Sequence, residues 1–391
     1  MHSIDLLLTL TACLGVALAL GYGTHRLGLS PIVGYLLAGV LVGPNTPGFV
    51  ANRELAEQMA EIGVILLMFG VGLQFHVKEL LAVRRVALPG ALGQSLVATL
   101  LGCAVALAFG WGWPAGIVFG LAISVASTVV LLRVLVDHND LHTPAGHIAV
   151  GWLIVEDLFT VLVLVLLPVL FQAESLGGTS MAMSLAWSLL KICGLLVFVV
   201  YAGGRLIPWL LNRVAITRSR ELFTLTVLVL ALGIAVGAAK LFGVSMALGA
   251  FLAGLVVGRS EFSSRAASEA LPMRDAFAVL FFVSVGMLFN PAFLLQAPWL
   301  VAVTLAIVLL GKPLAALLIV LMLRYPLRVA LAVAVALAQI GEFSFILAAV
   351  GRDLGILTET ATSTIIAAAI VSISLNPILY RLIDALEARA K

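Results

Sequence analysis

GLSPIVGYLLAGVLVG, residues 28–43, returns 215 residues later as GVSMALGAFLAGLVVG, residues 243–258. The copies share Gly28/Gly243, Ser30/Ser245, Gly34/Gly249, Leu37/Leu252, Ala38/Ala253, Gly39/Gly254, Val42/Val257 and Gly43/Gly258. One span further on, VGLQF (71–75) matches VGMLF (285–289) at nearly the same offset. A single stripe of small residues arises readily wherever helices pack closely in a membrane. Two matches in register point instead to an internal duplication.

The segments around the repeat are those of a polytopic membrane protein. Of 391 residues, 63% are hydrophobic and only 10% charged, and the mean hydropathy is +1.21. Soluble domains carry about 25% charged residues. A net charge of +3 is too small to argue for nucleic acid as a partner. Apolar runs between charged or Gly/Pro-rich breaks predict thirteen spans, at 4–24, 30–44, 57–75, 86–109, 114–135, 147–172, 182–210, 220–241, 243–258, 272–290, 297–323, 326–350 and 361–384. The second and ninth, which hold the repeat, are short for a bilayer and call for tilt or cover from neighbours. The N-terminus lacks the basic start and cleavage site of a signal peptide and reads as the first span. Cys13, Cys103 and Cys193 lie far apart in apolar runs, with no CxxC pair.

Lys and Arg set the orientation. Seventeen fall on one side of these spans and three (Arg53, Lys240, Arg352) on the other, while Lys191 and Lys312 lie within spans. The rich side is expected to be cytoplasmic, with the N-terminus outside and the C-terminus inside. The copies lie seven spans apart, an odd number, so they run in opposite directions through the membrane. Inverted repeats of this kind mark secondary transporters, whose ion sites lie near the midplane. Spans 1–6 and 8–13 form the two repeats, with span 7 between them.

The polar residues inside these spans need a reason to be there. GWLIVEDLFTVLVLVLLP (151–168) carries Glu156 and Asp157 side by side, and each ionised acid near mid-bilayer costs about 2.5–3.5 kcal/mol or more. Lys312 sits in LLGKPLAALL, and Gln339 and Glu342 in ALAQIGEFSFIL. SVASTVVLL contributes Ser124, Ser127 and Thr128, which the repeat offset sets opposite Gln339–Glu342. Such hydroxyl- and glycine-containing stretches are candidates for unwinding, which would free carbonyls for a cation, although Ser and Thr also bond back to their own helix. A buried ion pair with Lys312 accounts for one acid and leaves the other over. The two acids differ by about 100° around the helix, so one can pair with Lys312 while the other meets water. Burial disfavours an ionised carboxylate and a nearby ammonium favours it, so such a group can hold either a proton or a hard cation. Gln339 and Glu342 read as braces of the helix crossing. Arg133 reads as a snorkelling anchor, and His138, His142 and His147 share a solvated loop with Asp137 and Asp140.

The chain resembles the Kef-type monovalent cation–proton antiporters, the second branch of that superfamily, and its potassium-efflux subgroup in particular. SPIVGYLLAGVLVGP, GVILLMFGVGLQF, SVASTVVLLRVL, GWLIVEDLFTVLVLVLLP, FFVSVGMLF, Gly311–Lys312 and AQIGEFSFIL carry the likeness, in order along nearly the whole chain. The resemblance implies an all-α, Nha-type antiporter fold in which two discontinuous helices, spans 5 and 12, cross beside the ion site. It implies a transmembrane domain over 1–384, with a dimerisation scaffold (1–75 and 220–290), a moving core (86–172 and 297–384) and a linker helix (182–210). It assigns Asp157 as the residue that binds K⁺ or Na⁺ and H⁺ in turn. Glu156 stands where relatives carry Asp, Asn or Gln, Ser127 and Thr128 face the cation, and Lys312 pairs with an acid when the cation is absent. The implied protein is a homodimer in a bacterial inner membrane, with no cofactor in this chain and with K⁺ or Na⁺ and H⁺ as substrates. Many relatives continue into a cytoplasmic nucleotide-binding regulatory domain. Here the segment 385–391 is expected to be a cytoplasmic tail, and no GxGxxG follows a strand. A channel-like efflux pathway and a sodium-coupled solute symporter share these features. An enzyme does not, since no HExxH, GxSxG or Cys/His cluster is present.

Overall fold

A computed structural model of the chain describes residues 2–47, 50–74, 77–172, 199–242 and 244–390, together with Leu190, Gly194, Leu195 and Val197. The part of the expected 182–210 span before Val199 lies mostly outside the described residues, as do Lys191, Cys193 and His76. No strand occurs among the described residues. The helices are α1 (His2–Arg26), α2 (Pro31–Val42), α3 (Arg53–Gln74), α4 (Val77–Ala108), α5 (Trp113–Ser124), α6 (Thr128–Asp137), α7 (Pro144–Gln172), α8 (Gly204–Ile216) and α9 (Arg220–Gly237). They continue as α10 (Met246–Gly258), α11 (Ser263–Met287), a single turn (Phe293–Gln296), α12 (Pro298–Ala306), α13 (Lys312–Met322), α14 (Leu327–Ala336), α15 (Glu342–Asp353) and α16 (Glu359–Ala390). Among the described residues, three π-helical turns interrupt the series, at Val199–Gly203, Ala238–Phe242 and Ile307–Gly311.

Nine stretches among the described residues are long and apolar enough to cross a bilayer, and Pro31–Val42, Met246–Gly258 and Leu327–Ala336 are shorter apolar helices. The first two of these short helices are the repeated segments, and both begin in the same way. Ser30 Oγ accepts from the backbone N–H of Ile32 (3.4 Å) and Ser245 Oγ from that of Leu248 (3.3 Å). Each serine thereby satisfies an N–H that the first helical turn leaves without a partner.

The chain forms two compact units. One comprises Met1–Leu10, Asn52–His76 and Val161–Ser284, and the other Thr11–Ala51, Val77–Thr160 and Val285–Lys391. In the first unit, Gly72 of α3 presses against the backbone of α10, where a methyl group would collide with the Phe251 carbonyl oxygen. In the second unit, Gly286 presses against α2, where a methyl group would collide with the Leu36 carbonyl oxygen. Leu36 and Phe251 occupy equivalent repeat positions, and so do Gly72 and Gly286. The same backbone contact is therefore made twice, each time between one copy's short helix and the other copy's next span. This exchange is packing evidence for the duplication, independent of the residue matches.

A buried core in the second unit joins α4, α6, α7, α13, α14 and α16 through Ala87, Leu131, Trp152, Ala316, Val333 and Tyr380. Lipid tails are as apolar as leucine, so burial from lipid adds little here. Close packing and hydrogen bonds hold such helices together. The alanines of this core let backbones approach near enough for those bonds to form.

Candidate functional site

The spans at 114–135 and 326–350 are both interrupted at the two polar stretches, as the resemblance implies. α5 ends at Ser124, Val125 is extended (φ −82°, ψ 136°), and α6 begins after Ser127 (φ −85°, ψ 124°). α14 ends at Ala336, and α15 starts after Gly341 (φ −101°, ψ 173°). Extended residues cannot continue a helical ladder, so their backbone groups need other partners inside the membrane. The two breaks supply one another. Gly341 N–H donates to the Val125 carbonyl (3.0 Å). The Gln339 side chain accepts from Ser127 N–H (2.9 Å) and donates to the Ser127 carbonyl (3.0 Å), imitating a strand pairing with its amide. Ser127 Oγ caps α6 by accepting from Val130 N–H (3.4 Å). Gly341 is required by this approach, because a methyl group there would strike the Ala126 carbonyl. From α16, Ser372 Oγ accepts from Ile340 N–H (3.3 Å), and Asn376 Nδ2 donates to the Val335 carbonyl (2.7 Å).

The two acids of α7 meet this crossing on different terms. Glu156 is 1% exposed and is held on both oxygens. Oε2 accepts from the backbone N–H of Ala126 inside the first break (3.0 Å), and Oε1 accepts from Trp152 Nε1 one turn earlier (3.1 Å). Trp152 Nε1 also donates to Gln94 Oε1 (3.2 Å), while Gln94 Nε2 donates to the Ser124 carbonyl at the end of α5 (3.1 Å). Among the described residues Asp157 is bonded on one side alone: Thr128 Oγ1 donates to Oδ2 (3.2 Å), and the buried Oδ1 has no hydrogen-bond partner.

Lys312 is fully buried, and its ammonium donates to the Gln339 carbonyl in the second break (2.9 Å). Its charge acts on Glu156. The π-turn Ile307–Gly311 ends immediately before it. Pro313, next in the chain, has no N–H to bond back into the preceding turn, and the wider π-turn absorbs that interruption. Glu342 lies in the first turn of α15, 9% exposed, and its negative charge acts on Asp157.

Thus Asp157, Glu156, Ser127, Thr128, Lys312, Gln339 and Glu342 converge on the crossing of the two breaks. Ser124 contributes differently: its hydroxyl donates back to the Leu121 carbonyl (2.8 Å), closing the end of α5. Gln94 and Trp152 were not singled out from sequence. The signals were present, since Gln94 is an isolated amide in an apolar span and Trp152 lies one helical turn before Glu156. Farther along the same unit, Asp140 is buried between Tyr380 Oη, which donates to it (2.9 Å), and Arg328 (3.5 Å). This ties the α6–α7 loop to α14 and α16.

Two broken helices crossing inside an apolar bundle, with ionisable side chains gathered at the breaks, define an ion-coupled secondary transporter. The chain belongs to the sodium/hydrogen exchanger family: the model of its transmembrane region ("Sodium/hydrogen exchanger, transmembrane") matches residues 11–383. The Kef-type resemblance agrees with its relatives. YbaL of Escherichia coli (strain K12), named a candidate cation/proton antiporter, is 52% identical over 386 residues, which cover 98% of this chain and 69% of YbaL. K(+) efflux antiporter 4 of Arabidopsis thaliana is 32% identical over 381 residues, 95% of this chain and 62% of that protein. The chain thus spans about two thirds of the length of these relatives. The solved structure of the sodium proton antiporter MjNhaP1 from Methanocaldococcus jannaschii at pH 8 shares the fold. It superposes with a TM-score of 0.64 over 99% of this chain and 98% of that one, at 16% identity.

Proposed function

We propose that the protein exchanges a monovalent cation, K⁺ ahead of Na⁺, for H⁺ across a bacterial inner membrane by alternating access. The observation that carries this reading is the unpartnered, buried Oδ1 of Asp157, beside a helix break and the Thr128 hydroxyl. A carboxylate oxygen in that position is completed by a proton or by a cation, and occupancy by one excludes the other. That exclusivity is the condition for exchange. Glu156, clamped by two donors and balanced by the Lys312 charge, sets the local field and stays in place. Ser127 shapes the first break, and Gln339 ties it to the second.

In this reading residues 86–172 and 297–384 carry the site as a moving core against a scaffold of 1–75 and 220–290, with 182–210 as linker. The scaffold pairs two copies, the N-terminus faces out, and the C-terminus faces the cytoplasm, where a nucleotide-binding regulatory partner would act. The names of the potassium-efflux relatives support K⁺ over Na⁺.

The test uses proteoliposomes with a trapped pH dye, given K⁺, Na⁺, Li⁺ or choline gradients, with wild type and Asp157→Asn in parallel. K⁺-driven proton movement in wild type and silence in the variant are expected. Potassium leak without proton movement would replace exchange by a channel-like pathway. Cation-driven uptake of a solute in place of proton movement would make the protein a symporter.

A further inference from the structure

Arg133, on the helix α6 that begins with Thr128, does more than snorkel. Its Nη1 donates to the Leu29 carbonyl (3.1 Å) and its Nη2 to His25 Nδ1 (3.1 Å), both more than 100 residues away in the chain. A guanidinium can only donate, so Nδ1 meets it with a lone pair. The way α1 ends presents both acceptors. Gly28 is left-handed (φ 78°), its N–H donates to the His25 carbonyl (3.0 Å), and Leu29 N–H donates to the Thr24 carbonyl (2.9 Å). This pair of bonds closes a helix on a glycine and turns the chain away from its axis, which leaves the Leu29 carbonyl for α6. The remaining partner of Arg133 is Asp137, one turn along α6. It lies 3.9 Å from Nε and is 60% exposed, and an exposed pair of that kind holds weakly. The turn between α1 and α2 is thus the main anchorage of Arg133.

The contact joins the helix that carries the Thr128 hydroxyl to residues 25–29. In the function proposed above, these belong to the moving core and to the scaffold. The other repeat has no counterpart. The 215-residue offset places Val244 where the first copy has Leu29, and Ala348 where it has Arg133. An alanine side chain has nothing to donate.

We propose that Arg133 is a latch on the Lys/Arg-rich side of the protein, holding α6 against the α1–α2 turn in one access state and releasing it for the other. Inverted repeats reach their two access states by rocking one bundle against another around a fixed site. A contact that only one copy can make biases that equilibrium. Arg133 touches no ion in this role; it sets which state the protein rests in and how readily the core leaves it.

This inference rests on the alternating-access reading, and the experiment separates the two. Spin labels on Leu27→Cys and Val136→Cys, both at exposed positions, report the separation of the turn from α6, with Cys13, Cys103 and Cys193 replaced by alanine. Distances are measured in detergent with Arg133 intact, with Arg133→Lys and with Arg133→Ala. One dominant separation is expected with Arg133 intact. Arg133→Ala should add a longer one, with the ratio of the two moved about two- to tenfold, and Arg133→Lys, which keeps a donor, should fall between. K⁺-driven proton movement in proteoliposomes should change its maximal rate in the same order. Identical distance distributions in all three proteins would overturn the proposal. Absence of cation-driven proton movement with Arg133 intact would instead remove the antiport reading, while the distances still decide whether a latch exists. Should Arg133→Ala fail to purify as a monodisperse protein, His25→Ala takes its place. Removal of that acceptor should also lengthen the separation, and an unmoved distribution would sink the idea.

Discussion

Gln339→Leu should loosen the crossing of the two broken helices by an amount the hydrogen bonds set. The Gln339 amide makes two bonds to one residue: it accepts from Ser127 N–H and donates to the Ser127 carbonyl. The losses are unequal. The Ser127 carbonyl also accepts from Leu131 N–H (3.1 Å), so it keeps a partner. Ser127 N–H is left buried with none, at about 1–3 kcal/mol, and the second bond contributes about 0.5–1.5 kcal/mol. The total is about 2–4 kcal/mol, enough to lower Tm by several degrees. Gln339→Glu sharpens the test. It keeps an acceptor for Ser127 N–H but turns a second oxygen toward the Ser127 carbonyl, a repulsion that protonation of the new acid relieves. Its deficit should therefore shrink as pH falls, whereas that of Gln339→Leu should not. Thermal unfolding in detergent gives the stability, and K⁺-driven proton movement in proteoliposomes gives the function. A Gln339→Leu protein with wild-type Tm and wild-type exchange would show that the breaks do not depend on this amide.

Gly72→Ala and Gly286→Ala each drive a methyl group into an equivalent carbonyl oxygen, of Phe251 and of Leu36. Both should lose about 1–3 kcal/mol by overpacking, read as similar drops in Tm, and tolerance of one with failure of the other would contradict the equivalence of the two contacts. Trp152→Phe removes the indole N–H shared by Glu156 and Gln94 and should destabilise by about 1–3 kcal/mol while slowing exchange. Unchanged unfolding and turnover would mean that Ala126 N–H alone holds Glu156.

Much of this architecture is written in local chemistry. Serine at 30 and 245 starts two short helices because its hydroxyl satisfies a free N–H, whatever surrounds it. Hydroxyls at 124–128 and a glycine at 341 marked the two breaks, since these residues lower the penalty for leaving a helix. Hydropathy and repeat spacing yielded spans and duplication because both are properties of single segments.

The division of labour between Glu156 and Asp157 could not be read that way. Local chemistry lets one acid pair with Lys312 and the other meet water without saying which, and the family resemblance alone singles out Asp157 as the ion-binding acid. In the folded protein the Lys312 ammonium donates to the Gln339 carbonyl while its charge acts on Glu156. The donors that hold Glu156 come from Ala126, 30 residues away in another helix, as well as from its own turn. Likewise the pairing of Ser127 with Gln339 bridges 212 residues. Composition, periodicity and caps therefore mark where helices begin and where they can break, and the crossing of the two broken helices was implied by the family resemblance. Which carboxylate is clamped and which keeps an open oxygen is decided by the meeting of distant backbones, because inside a bilayer every exposed N–H and carbonyl must take whatever partner the assembled bundle brings within reach.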